Sequence, residues 1–227
     1  MKTWQAALAA VAMAGAMTSA AAQAHYIWLE RNGAEVQAFF GEWEGDLREV
    51  SGGTLDRITG LKAFERDRAK PLTVTKEANH FAIKGSAKGD VRALEDRAPA
   101  EDKANGGKTK TTFQAKEGRS DTKPVFDLEL VPVSPGANTF VLMLRGSPLA
   151  KSEINVFGPP KWGKEFTTDE QGKVTVPLHW VGRYVFEVIH LEQSPGGTGD
   201  GAYDRIRHVA TLSFKTTKGI AWKVAKK

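Results

Sequence analysis

Cysteine is absent from this chain. Disulfides, thiolate metal sites and thiol nucleophiles are therefore excluded, and stability must come from an apolar core. Beyond the N-terminal stretch, no apolar run approaches the roughly 18 residues that mark a membrane-spanning helix. Neither sign of charge dominates: 32 Lys and Arg stand against 27 Asp and Glu, for a net +5. The charges are interspersed, and no aromatic–basic stripe marks a nucleic-acid groove, so nucleic acid is not an expected partner. A nucleophile elbow, a phosphate loop and a dinucleotide fingerprint are also missing. No catalytic residue is predicted, and hydrolase or kinase chemistry is not expected. Histidine is scarce at five residues, so each imidazole can be weighed on its own.

What is present begins with MKTWQAALAAVAMAGAMTSAAAQA. Lys2 supplies a positive start, Ala7 to Met17 is small and apolar, and Ala22-Gln23-Ala24 is an A-x-A cleavage site. This pattern predicts a secretory signal over residues 1–24, hence a periplasmic protein with no membrane span after processing. Cleavage after Ala24 makes His25 the first residue. A cut after Ala22, following the small residues 20–22, leaves His25 third instead.

The remainder reads as strand. HYIWLE and AEVQAFFGEW alternate around an RNG turn at residues 31–33, and KPLTVTKEANHFAIKG looks like a strand pair turning at KEAN. Residues 86–110 are charged and poor in β-branched side chains, which predicts a long charged loop in the middle of the chain. KEGRSDTKP reads as a linker, and residues 43–64 leave room for one short helix. From Pro124, short strands alternate with Gly and Pro turns: FDLELVPV, TFVLMLRG, EINVFGPP, GRYVFEVIHLE, HVATLSFKT. The expected fold is an all-β antiparallel sandwich, with an N-terminal β-rich domain at 25–123 and a C-terminal one at 124–227. Over about residues 140–190, GSPL, FTTDEQGKV and GRY resemble the turn, hairpin and strand of the small immunoglobulin-like sandwich of secreted proteins. That likeness speaks to fold alone.

Period-two alternation puts His190 on the face of Tyr184, Phe186 and Val188, and His208 on the face of Ile206, Ala210, Leu212 and Phe214. If LEQSPGGTGDGAYDRIR joins neighbouring strands, the two imidazoles meet at one end of a core. Imidazole is the commonest ligand for Zn, Cu and Ni. A mature N-terminal His25 adds a second kind of ligand, because its free α-amine and ring nitrogen can chelate one ion together. His25, His190 and His208 are thus the candidate metal ligands, in a T-shaped histidine brace. Glu192 and Asp204 are candidate oxygen ligands or partners that orient an imidazole. His80 and His179 are read as structural.

The stretches AHYIWLE, PLAKSEINVFGPPKW with FTTDEQGKV, and HWVGRYVFEVIHLEQSPG with AYDRIRHVATLSF resemble an exported bacterial family of unknown function. That family is grouped with the periplasmic components of nickel and cobalt uptake systems. The resemblance spans nearly all of the mature chain and is weakest over residues 86–124. It implies a periplasmic β-sandwich with a transition-metal role, Cu or Ni/Co, serving as a soluble accessory to a membrane metal transporter. It supplies no catalytic residue. Two other readings compete: a copper-dependent oxidase or monooxygenase acting at the brace, with Tyr26, Trp28 and Trp43 as a substrate face, and a metal-free immunoglobulin-like binding module.

Overall fold

The structure, a computed structural model, describes residues 25–85 and 89–222. The expected signal, residues 1–24, lies outside the described residues. The chain is all-β. The first half holds β1 (Tyr26–Asn32), β2 (Glu35–Glu42), β3 (Leu47–Arg48), β4 (Lys62–Phe64), β5 (Thr73–Lys76), β6 (Phe81–Lys84), β7 (Val91–Asp96), β8 (Ala100–Glu101) and β9 (Lys108–Glu117). The second half holds β10 (Leu128–Pro132), β11 (Thr139–Leu144), β12 (Ser147–Pro148), β13 (Glu153–Gly158), β14 (Trp162–Thr167), β15 (Lys173–Thr175), β16 (Gly182–Glu192) and β17 (Arg205–Thr216). The helix allowed for in residues 43–64 is no more than a single 3-10 turn, Thr54–Arg57, between β3 and β4.

Three sheets form. A central sheet runs in the order β14-β13-β16-β17-β9-β7-β4, with β8 alongside β9. One flanking sheet is β1-β2-β6-β5 with β3, and the other is β10-β11-β12 with β15. Alternation along the central strands gives each flanking sheet its own face. Val185 and Val209 join Trp28, Leu29, Phe40 and Phe113 in a first core under β1 and β2. Tyr184, Phe186, Ala210, Leu212 and Phe214 join Leu128, Phe140 and Ile154 in a second core under β10 and β11. Each Val, Leu, Ile or Phe side chain so withdrawn from water contributes about 1.5–3 kcal/mol. The layers are also stitched by polar groups: the buried Thr211 hydroxyl donates to the Ile27 carbonyl at 2.7 Å.

The turn reading at residues 31–33 matches the structure. Gly33 sits in the left-handed region at φ +62° and lets Asn32 pair with Glu35 across a two-residue loop. Three other expectations are altered. The boundary at 123/124 separates neither sheets nor cores, because β9 pairs in parallel with β17 from Arg205↔Thr109 to Ser213↔Glu117 and because Val185 and Val209 belong to the first core. The TDEQGK turn is no hairpin: β14 pairs with β13 and β15 pairs with β11, so the turn carries the chain from one sheet to another.

Half of the expected charged loop, beyond residues 86–88 (which are not described), is strand: β7, β8 and the start of β9. β7 and β9 pair in register, with Arg92 opposite Lys116. Both side chains are fully buried. Arg92 donates to Glu129 at 2.7 Å and to Asp121 at 3.0 Å, while Lys116 lies 3.2 Å from both Asp90 and Glu129. Against burial, which would raise it, Arg92 and Lys116 hold the Glu129 carboxyl below its ordinary range. Asp121 belongs to the expected linker, yet its buried carboxylate is a corner of this network.

Candidate functional site

β16 and β17 pair over their whole length, and His190 stands directly opposite His208. The rings lie 6.4 Å apart, tilted by 29°. The sequence argument that placed two imidazoles together at the end of the second core matches this geometry. Their surroundings differ, however. His208 is fully buried and both of its ring nitrogens are engaged. Gln114 accepts the Leu128 N–H on its oxygen at 2.8 Å. Its amide nitrogen, 3.3 Å from His208 Nδ1, is therefore the donor in that pair. His208 Nε2 then carries the hydrogen and donates to Glu192 Oε2 at 2.9 Å. Glu192 also accepts from Arg145 at 2.9 and 3.1 Å. Those Arg145 bonds, with the His208 bond beside them and against partial burial, pull the Glu192 carboxyl down to about 2. His190 is half-buried, and burial together with neighbouring His208 lowers its pKa.

His25 lies elsewhere. Its ring packs on Phe40 at 5.4 Å, and Phe40 packs on Phe113, so it belongs to the first core. The central sheet separates it from the face that carries His190 and His208. The three-histidine brace does not assemble, for the reason that makes strands amphipathic: β1 docks on the odd-numbered face of β17, and His208 is even-numbered. Among the described residues, no group of three or more His, Asp or Glu side chains is already arranged to hold a metal ion.

What surrounds His25 instead is carboxylate. Nε2 lies 2.5 Å from Glu49 Oε1, and Nδ1 lies 3.5 Å from Glu42 Oε1. His25 keeps 29% of its side chain exposed, while Glu42 keeps only 8%. On the next residue, the Tyr26 hydroxyl donates to Glu44 and accepts the Trp43 N–H. Burial, with Glu44 beside it, raises the Tyr26 pKa, so the phenol stays protonated. Glu187 completes the acidic group from β16. It is buried, it accepts from Asn155 at 3.3 Å, and burial together with Glu44 and Glu42 pushes its pKa up to about 7. Sequence reasoning passed over these acids. Glu42, Glu44 and Glu49 sit in the segment GEWEGDLRE, beside the strand that pairs with β1, and that proximity was the available signal.

As donors, one imidazole and two carboxylates suit a borderline divalent ion such as Cu(II), Ni(II), Co(II) or Zn(II). The backbone nitrogen of His25 joins them only if cleavage after Ala24 turns it into an amine. A three-histidine site is not what these residues fit.

The remaining candidates have structural partners. Asp204 accepts the Lys108 N–H at 2.7 Å. His80 packs on Phe39 and bonds Asn79 at 2.8 Å. His179 lies edge-on to Trp180 at 5.3 Å, and its carbonyl accepts the Ile220 N–H. Comparison of the chain with protein-family models, with curated proteins and with solved structures returns no match.

Proposed function

We propose that this is an exported protein that binds one divalent transition-metal ion, Cu(II), Ni(II) or Co(II), at its processed N-terminus and buffers it or passes it to a membrane transporter. One observation carries the reading: each ring nitrogen of His25, the residue that cleavage after Ala24 would expose, faces a carboxylate. His25 supplies the imidazole and the new amine, and Glu42 and Glu49 supply oxygen ligands or orient the ring. The metal, when bound, contributes charge and coordination. The chain contributes a rigid first strand that holds the terminus against the first core. His190 and His208 take no part in this site.

Intact mass of the exported protein, with and without metal, fixes both the terminus and the stoichiometry. Titration calorimetry with Cu(II) and Ni(II) then tests the site. The chain beginning at His25 binds one ion, and binding weakens as pH falls, as for any site built on nitrogen ligands. A chain carrying one extra residue before His25, H25A, and the pair E42Q/E49Q each bind about 10–100-fold more weakly. Equal affinity across all four proteins would overturn the reading.

A further inference from the structure

At the end of the central sheet away from His25, two adjoining clefts of about 600 and 500 Å3 share Arg119 and Lys215 as walls. Lys218 lines the larger cleft, and Arg31 lines the smaller. We infer that this groove binds a phosphate-type anion. The inference is independent of the metal reading.

The charges that line the groove differ in whether they are already matched. Two carboxylates line the smaller cleft, Asp90 and Glu117. Asp90 is taken by Lys116 at 3.2 Å and by the Ser120 and Asp121 N–H groups at 2.9–3.0 Å. Glu117 is taken by Arg31 at 3.0 Å. No such match exists for the other cations: among the described residues, no carboxylate lies within ion-pair distance of Arg119, Lys215 or Lys218. The groove therefore keeps a surplus of three positive charges in a chain whose net charge is only +5.

Arg119 is also held in place rather than loose. Its guanidinium lies 4.5 Å over the Phe214 ring, and Nη1 donates to the Ala137 carbonyl and to the Asn138 side chain. Nε and Nη2 have no protein acceptor among the described residues, which leaves one edge of the fork available. Directly across the ladder from Lys215 stands Arg183. It is buried; Nε lies 3.4 Å from Glu30, a carboxylate it shares with Arg48, Nη1 donates to the Leu29 carbonyl, and Nη2 is the one buried side-chain nitrogen or oxygen without a hydrogen-bond partner among the described residues. A buried, incompletely matched cation beneath an exposed one raises the potential over the groove. A fixed guanidinium fork flanked by two flexible ammonium groups fits a phosphate or diphosphate better than a single carboxylate. The chemistry is common to soluble phosphate esters and to anionic lipid headgroups.

The mature protein in EDTA is titrated with inorganic pyrophosphate by calorimetry, and sedimented with vesicles of phosphatidylglycerol or of phosphatidylcholine, at physiological salt. Binding of pyrophosphate assigns the groove to soluble phosphates. Sedimentation with phosphatidylglycerol alone assigns it to a headgroup. In either case K215Q/K218Q, which changes only exposed side chains, weakens binding at least tenfold; R119K weakens it less, and H25A leaves it unchanged. The inference is overturned if neither probe binds, if both vesicle types bind equally, or if K215Q/K218Q binds as tightly as the parent.

Discussion

The two faces of β9 are built on opposite plans. On one, Phe113 and Ala115 join the first core beneath β1 and β2. On the other, Thr112, Gln114 and Lys116 are equally buried, and they lead from His208 to the ion network of Arg92, Asp121 and Glu129. A hydrophobic face tolerates change in proportion to the volume lost. A buried ionic face does not, because each charge is acceptable only while its partner is present. The comparison shows that burial and hydrophobicity part company over residues 91–129, where a third sheet, β10 and the loop before it cover charge rather than hydrocarbon.

The largest expected effect falls on the ionic face. Arg92→Ala leaves Glu129 and Asp121 buried with too little countercharge and costs about 3–5 kcal/mol in denaturant unfolding. Leu29→Ala, in the first core, costs about 2–5 kcal/mol. If Arg92→Ala costs under about 1 kcal/mol, the contrast between the faces fails.

Glu187 tests the same point by pH. Its folded pKa of about 7 lies above the ordinary 4.5. The folded state therefore holds a proton that the unfolded chain releases, and stability falls as pH rises from about 4.5 to about 7, by on the order of 3 kcal/mol. Melts across that range show the slope, and E187Q removes it.

Gln114→Ala comes next. It strips the Leu128 N–H and His208 Nδ1 of their partners and costs about 1–3 kcal/mol by chemical denaturation. The smallest effect is at His190. Its folded pKa is lowered, so the unfolded chain takes up the proton first, and stability declines as pH falls below about 6.5. His190→Gln makes the acid side of the stability profile shallower. An unchanged acid limb would show that the ring is not desolvated beside His208.

Much of the second half was legible because its strands bury one apolar face and punctuate with Gly and Pro. GRYVFEVIHLE is β16 to the residue, and alternation, together with reading the Gly- and Pro-rich segment after it as a connection between neighbouring strands, brought His190 and His208 together. The stretch VRALED was illegible for the opposite reason. Its charges read as part of a loop, yet Arg92 and Glu95 are both buried in a strand, and their partners, Glu129 for the first and the Thr59 and Gly60 N–H groups for the second, lie about 35 residues away in the chain. Alternation put His190 and His208 on one face of β16 and β17. It could not say that β1 would dock on the odd-numbered face of β17, since docking is decided by contacts between layers, and so His25 was grouped with two histidines of the opposite face.

The parallel pairing of β9 with β17 also bears on when the molecule can exist. Arg205 and Thr109 are joined across 96 residues, and everything from β10 to β16 lies between them. The first core needs Val185 and Val209 to close. A nascent chain that has emerged only as far as residue 123 therefore holds most of its first core without the wall it rests on. Ladder formation at such separation is slow, so the acidic pocket around His25 is among the first parts of the chain to be made and among the last to be completed.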